Sequence, residues 1–156
     1  MVKFSIFSIR PVRADSKRRL LINQVELLGN VGGTVVGATG TAIGTGIDNT
    51  NSIISLCPTG NAASIAADYS LNGFSDWYLP SKEELEQLQA QKAVVRGFAN
   101  AGYWSSSDFA NQGLNYVHIT DFSGGTWDPL GNGVVPTEIY KAAVLPVRAI
   151  RTFGAR

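Results

Sequence analysis

The sequence predicts a single α+β domain with a twisted mixed sheet, two or three helices against it, and long loops at one side. Three observations carry this prediction. Residues 73–88 (GFSDWYLPSKEELEQL) join a turn, an aromatic pair and a capped helix without a spacer. Residues 114–122 (LNYVHITDF) alternate between two faces as a strand does. Finally, 17 glycines in a chain that is 44% hydrophobic and 16% charged indicate a globular, turn-rich protein.

Chain length, hydrophobicity and cysteine content narrow the class of protein. The 156 residues fall in the single-domain range. No apolar run approaches the roughly 18 residues of a transmembrane helix, and residues 4–9 are too short and too polar for the core of a signal peptide. We therefore expect neither membrane insertion nor classical secretion. Cys57 is the only cysteine, which excludes an intrachain disulfide and a cysteine-based zinc site.

The first residues differ from the rest in charge. Residues 1–19 carry six Lys and Arg side chains against Asp15, a net charge of +5, whereas the remaining residues hold seven basic and eleven acidic groups, a net charge of −4. A device for docking onto an acidic partner and a solvated strand with scattered cations both fit this pattern. We interpret residues 1–35 as an arm for attachment or oligomerisation, and residues 36–156 as the domain.

The first elements along the chain are less well specified. Residues 2–12 suggest an edge strand that a proline ends, and residues 20–28 suit a strand or a helix face, of which we favour the strand. Residues 29–46 hold seven glycines, which serve tight turns and close backbone approach. They lack the lysine and the spacing of a phosphate-binding loop, so nucleotide binding is not expected.

Three helices follow. Residues 48–56 predict a short helix capped by Asn49 or Asn51, and the alanine-rich residues 61–69 predict a second. The third is the best specified, because Ser81 and Glu84 have the spacing of a capping box and Leu-Pro ahead of them favours extended chain. It should begin at Lys82 and end before Gly97. Trp77 and Tyr78 are expected to be core aromatics beside it.

The second half of the chain predicts strands. Residues 103–107 have the character of a strand, and residues 114–122 alternate without giving a cleanly apolar face. Residues 123–133 form a turn-dense loop that carries Trp127. Residues 142–153 supply the last strand, which we expect at the centre of the sheet.

Several blocks resemble a known family. Residues 73–88, then GYWSSS at 102–107 and VRAIRTF at 147–153, resemble a bacterial and phage domain family that reads Asp-Trp, Leu-Pro-Ser, then Tyr-Trp-Ser-Ser, then Val-Arg-Ala-x-Arg. Residues 40–50 (GTAIGTGIDNT) resemble its opening glycine-threonine segment. The family includes the C-terminal domain of a collagen-like bacterial adhesin. The resemblance covers about residues 40–153 and implies a C-type-lectin-like fold, which hosts many functions.

The sequence offers few residues that could form a catalytic site or bind a metal ion. The serines at 105–107 would need a base, and the only imidazole, His118, lacks the context of a nucleophile elbow. The formylglycine-generating enzymes that share the fold use paired cysteines, whereas this chain has Cys57 alone. The Glu-Pro-Asn of calcium-dependent lectins is missing. Asp108, Asp121 and Asp128 offer oxygen ligands for a hard cation, although aspartates in turns explain them more simply. We expect neither an enzyme nor a bound cofactor or metal.

The remaining candidate is a binding face in the second half. Aromatic platforms surrounded by adaptable polar groups are typical of recognition surfaces. Trp104 is expected in the core, whereas Trp127 lies in a glycine-rich loop and has the better claim to exposure. The predicted ligand-binding residues are Ser106, Asp108, Asn111, Asn115, Tyr116, His118 and Trp127.

These observations lead to a functional hypothesis with one alternative. The chain is expected to be a non-enzymatic recognition or adhesion module on a phage virion or a bacterial surface, which binds a host glycan or protein. The alternative is a purely structural decoration or fibre subunit without a specific ligand. Residues 1–35 would contact other virion or surface subunits, and the resemblance to the adhesin suggests a homotrimer. No nucleic-acid partner is expected.

Overall fold

The computed structural model describes residues 37–109, 116–129, 131 and 133–152, and in them helices precede strands in an α+β arrangement. The helices are α1 (Gly46–Leu56), α2 (Ala62–Ala67), α3 (Lys82–Ala90) and α4 (Lys92–Val95), and the strands are β1 (Gly102–Asp108), β2 (Tyr116–Asp121) and β3 (Glu138–Tyr140). The predicted arm at 1–35 and the trimer that depends on it lie outside the described residues. None of the described helices combines the length and the apolar character that a bilayer crossing requires.

The three strands form an antiparallel sheet in the order β1-β2-β3. Gly102 pairs with Asp121 at one end of β1 and β2, and Tyr116 pairs with Tyr140 where β2 meets β3. The prediction of a mixed sheet is therefore not met by the strands that the structure describes, although the α+β class is. The central strand is β2.

The prediction of a central last strand at 142–153 is wrong for the described part of that segment. Its described residues begin in a turn and continue without regular secondary structure. The Trp104 N–H donates to the carbonyl of Pro146 at 3.3 Å, and Ile150 forms an isolated bridge with Tyr78. Proline has no N–H to give to a ladder, so Pro146 interrupts a regular strand. The third strand is instead the short β3, at the edge.

The sheet lies between two helical layers. Because directly opposed residues share a face, Trp104 and Ile119 point to one side, where they pack in a cluster with Ile53 of α1 and alanines of α2. Tyr103 points to the other side and packs with Leu85 and Leu88 of α3, and with Val95 and Phe122. The predicted burial of Trp77, Tyr78 and Trp104 is confirmed.

Local capping signals define two of the helices. Ser81 and Glu84 form the predicted capping box, and α3 begins at Lys82. Asn61 forms a second capping box with Ser64 at the start of α2. The predicted cap of α1 is wrong: Thr45 is the N-cap, while Asn49 lies inside the helix and hydrogen-bonds both backbone groups of Gly40.

The loop before α1 is held against the start of α3. The Ser81 hydroxyl donates to the carbonyl of Ala42 at 2.9 Å, and the Glu84 carboxylate accepts from the N–H of Gly44 at 2.9 Å. Glu84 is buried and also accepts from the N–H of Ser81 and from the hydroxyl of Tyr78. This carboxylate therefore joins the loop before α1 to residues 78–84, about 40 residues later in the sequence.

The C-terminal segment is fastened to residues 74–78. Arg151 donates from Nε and Nη2 to the two carboxylate oxygens of Asp76, at 2.8 and 2.7 Å, and its guanidinium lies 3.8 Å from the ring centroid of Phe74. These residues belong to the Asp-Trp and Val-Arg-Ala-x-Arg blocks. The two blocks are thus contact partners across the fold.

Asp76→Asn is expected to lower the free energy of unfolding by no more than about 1 kcal/mol at pH 7, because the Asp76 side chain is 54% exposed. The hydrogen bond from Arg151 lowers the pKa of Asp76, against the opposing effect of burial. The pair therefore stabilises the fold above pH about 4, and the contribution is lost as pH falls through the folded-state pKa. Urea unfolding at pH 7 and pH 3 measures it. The exposed Asp68→Asn serves as control, and an equal loss in both variants would contradict this role.

Candidate functional site

The three consecutive serines of β1 are structural. Ser106 is 1% exposed; its N–H donates to the carbonyl of Pro80 at 2.7 Å, and its hydroxyl accepts from Asn49 at 3.3 Å. The hydroxyl of Ser107 donates to Gly40 and accepts from the N–H of Lys82. The Ser107 hydroxyl thus satisfies distant backbone groups and the Ser106 hydroxyl a distant side chain, and the structure places Ser106, predicted to bind a ligand, in the interior.

Asp108, another predicted ligand-binding residue, is also buried. Its carboxylate oxygens lie 2.8 and 2.9 Å from the ammonium group of Lys141, and the two side chains are 4% and 2% exposed. A ligand that bound the Asp108 carboxylate would have to separate this buried ion pair, which would leave the Lys141 charge buried without its partner. The pair fixes the end of β1 to the turn after β3.

Trp127 is partly buried rather than exposed as predicted. Its indole ring lies against the backbone of Gly102, where a Cβ atom would overlap the ring, and it packs against the cluster around Trp104. The loop that carries it is held by Asp121, whose carboxylate accepts from the N–H groups of Ser123 and Gly125. Burial raises the pKa of Asp121, but these hydrogen bonds outweigh it and the pKa is lowered.

Two predicted residues, Tyr116 and His118, do lie together. Side chains at alternate positions of β2 share a face, and this face is turned toward α3. Tyr116 is 38% exposed, whereas His118 is partly buried with its ring edge-on to Phe109 at 5.0 Å. Asn111 and Asn115 lie outside the described residues.

The structure adds two residues that the sequence prediction missed. Tyr140 of β3 lies opposite Tyr116, with ring centroids 6.0 Å apart and the planes at 75°, and it is 50% exposed. Glu138 lies opposite His118. A three-residue strand is too short to show a period, so only the cross-strand register reveals this pair of tyrosines.

We call Tyr116, Tyr140, His118 and Glu138 the tyrosine face. It is separate from Trp127, which packs on the opposite side of the sheet beside Gly102. Gly102 pairs with Asp121, and Asp121 is five residues from Tyr116, or roughly 16 Å along β2. The predicted single platform of Tyr116 and Trp127 therefore divides into two places.

The three aspartates of the possible cation site are separate as well. Asp108 pairs with Lys141, Asp121 holds its own loop, and Asp128 accepts from the N–H of Gly133 at 2.7 Å. No group of three or more His, Cys, Asp or Glu side chains with the spacing of a metal site occurs in the part of the chain that the structure describes.

Comparison with known proteins adds no relative. No family model, no curated protein and no solved structure matches the chain.

Proposed function

We propose that this chain is a non-enzymatic recognition module of C-type-lectin-like architecture, displayed on a virion or cell surface, which binds a host glycan or protein through the tyrosine face. The observation that carries the proposal is the exposed Tyr116–Tyr140 pair at the edge of the sheet. Both rings remain accessible, whereas five of the ten other aromatic side chains within the described residues are buried and four more are partly buried.

The chemistry of the tyrosine face suits recognition. Tyrosine offers a rigid apolar ring with a hydroxyl at its tip, which contacts a sugar or a protein surface at low cost in conformational entropy. Glu138 adds a carboxylate on the same face, and the hydroxyl of Thr137 donates to that carboxylate. Such polar groups beside aromatic rings give a ligand both apolar contact and oriented hydrogen bonds.

The frame behind the face is rigid in a way that supports binding. The Ser105 hydroxyl of β1 donates to the carbonyl of His118 in β2 at 2.7 Å, and the Asp108–Lys141 pair joins the end of β1 to the residue after Tyr140. A pre-organised surface loses less conformational entropy when it binds.

Replacing Tyr116 and Tyr140 together with alanine is expected to reduce ligand binding at least tenfold, because truncating one well-packed aromatic anchor costs about 1–2 kcal/mol or more. A glycan array and a pulldown from host-cell surfaces, both with the full chain, provide the ligand and the measurement. Val94→Ala is the matched control, since Val94 is 76% exposed on α4 and lies outside the tyrosine face.

The outcomes separate the two classes of function. Binding that Tyr116→Ala/Tyr140→Ala removes and Val94→Ala preserves supports recognition at this face. Binding that survives the double substitution places the ligand elsewhere. If correctly folded protein binds nothing on the array or in the pulldown, the result favours the structural decoration or fibre subunit instead.

A further inference from the structure

His118 is the single histidine of the chain, and it lies on the tyrosine face two residues from Tyr116. Its Nδ1 atom is buried and makes no hydrogen bond to any described residue. Thr120, the next residue on this face, also has a buried hydroxyl without a partner in the described part of the chain. His118 of the tyrosine face and its neighbour Thr120 thus each hold a buried polar atom without a hydrogen-bond partner among the described residues.

Four charged groups act on the imidazole through electrostatics: Lys82 and Glu86 of α3, Glu138 of β3 and Asp108 of β1. Glu138 lies directly opposite His118 in the register of β2 and β3. Burial lowers the pKa of His118 below its ordinary value, and Lys82 lowers it further, while the carboxylates of Glu138, Glu86 and Asp108 oppose this. The net effect is a lowered pKa, so the imidazole is neutral at pH 7.

A neutral imidazole and an imidazolium make different demands on this position. The neutral ring leaves one acceptor without a partner, at a moderate cost. The charged ring carries a donor at both nitrogens and must hold its charge in a partly buried site against the repulsion of Lys82, which costs more. Glu138 lies opposite His118 and its carboxylate attracts the charged ring, and Glu138 and Tyr140 belong to the same short strand.

We propose that His118 is a positioning residue for the tyrosine face, and that its protonation moves β3 relative to β2 and weakens ligand binding at acid pH. The effect on binding rests on the proposed function, whereas the coupling between His118 and the two tyrosines is a property of the free protein.

Proton linkage determines whether the stability of the fold rises or falls with pH. Because the folded state binds the proton less readily than the unfolded chain, the stabilising contribution of neutral His118 is full above pH about 6.5 and is lost as pH falls through the folded-state pKa. A single proton changes an equilibrium constant by at most tenfold per pH unit, which bounds the expected loss of affinity.

The first test is an NMR titration of the full chain without ligand, from pH 7 to pH 5. We expect the ring signals of Tyr116 and Tyr140 to shift with the same midpoint as those of His118. In His118→Gln these tyrosine shifts should disappear, because no other side chain of the sequence ordinarily titrates in this range. Glu138→Gln removes a carboxylate that favours the imidazolium, so it should move the common midpoint to lower pH. If the ring signals of Tyr116 and Tyr140 do not shift while wild-type His118 titrates, the proposal is overturned, and this result does not depend on whether either variant folds.

The second test repeats the glycan array and the host-surface pulldown at pH 7.0 and pH 5.5. Wild-type binding should fall severalfold at the lower pH, whereas His118→Gln should bind equally at both. Equal wild-type binding at the two pH values contradicts the proposed weakening and leaves the proposed function standing. A chain that binds nothing on the array or in the pulldown, yet shows the coupled titration, contradicts the proposed function and leaves the coupling standing.

Discussion

Replacing Lys141 with methionine is expected to lower the free energy of unfolding by about 3–5 kcal/mol. The substitution leaves the Asp108 carboxylate, 4% exposed, without the ammonium group that lies 2.8 Å away. Taking a carboxylate out of water costs several kcal/mol, and the partner charge offsets most of that cost. Methionine fills a similar volume, so the loss reports charge rather than packing.

Two controls isolate the cause. Lys82→Met removes an ammonium group from an exposed i,i+4 pair with Glu86, whose side chains are 33% and 47% exposed, and should cost at most about 0.5 kcal/mol. The double variant Asp108→Leu/Lys141→Met replaces both charges and should recover much of the stability. Urea denaturation at pH 7 measures all three variants. Similar losses for Lys82→Met and Lys141→Met would show that burial of the pair is not what matters.

Gly46→Ala is expected to destabilise the protein by about 3 kcal/mol, although alanine normally stabilises a helix relative to glycine. A Cβ atom at Gly46 would lie 2.8 Å from the backbone nitrogen of Ser81 and 2.9 Å from the carbonyl oxygen of Leu79, and it would overlap the carboxylate of Glu84. Two of these three neighbours are backbone atoms that cannot rotate away. The contact between α1 and the capping box of α3 must therefore open.

Gly60→Ala is the matched control for Gly46→Ala. Gly60 has a positive φ of 76° but open space around it, so alanine there adds backbone strain without a clash. We expect a loss of about 1 kcal/mol from that strain. Thermal unfolding of the two variants compares them directly. A smaller loss for Gly46→Ala than for Gly60→Ala would contradict the close approach of α1 to α3.

The sequence correctly predicted features that depend on residues close together in the chain. The capping box of Ser81 and Glu84 needs only residues three apart, and it correctly placed the start of α3. The burial of Trp104 followed from its size and strand context. The α+β class followed from these local features, whereas the C-type-lectin-like assignment stays a prediction.

The errors involve partners that are distant in sequence. Asn49 is a residue type that favours helix caps, but it lies inside α1, where its side chain hydrogen-bonds to Gly40. The burial of Ser106 was not predicted, because nothing in its local sequence shows that Pro80 and Asn49 occupy its polar groups. Lys141 pairs with Asp108 across 33 residues, a separation that no local pattern encodes.

The residues of the predicted binding site do not all lie together in the structure, and the site itself stays a prediction. Tyr116 and His118 share a face as the alternation of β2 required, while Trp127 packs on the other face of the sheet. Tyr140 escaped prediction because β3 is only three residues long. The face became visible once the register of β2 and β3 was known.

NMR shift mapping shows directly whether a ligand binds at the tyrosine face. The full chain is titrated with the strongest glycan from the array, and backbone amide shifts are followed. We expect the largest changes at Tyr116, His118, Glu138 and Tyr140, with little change in the loop at 123–129. Changes centred on that loop, around Trp127, would contradict binding at the tyrosine face.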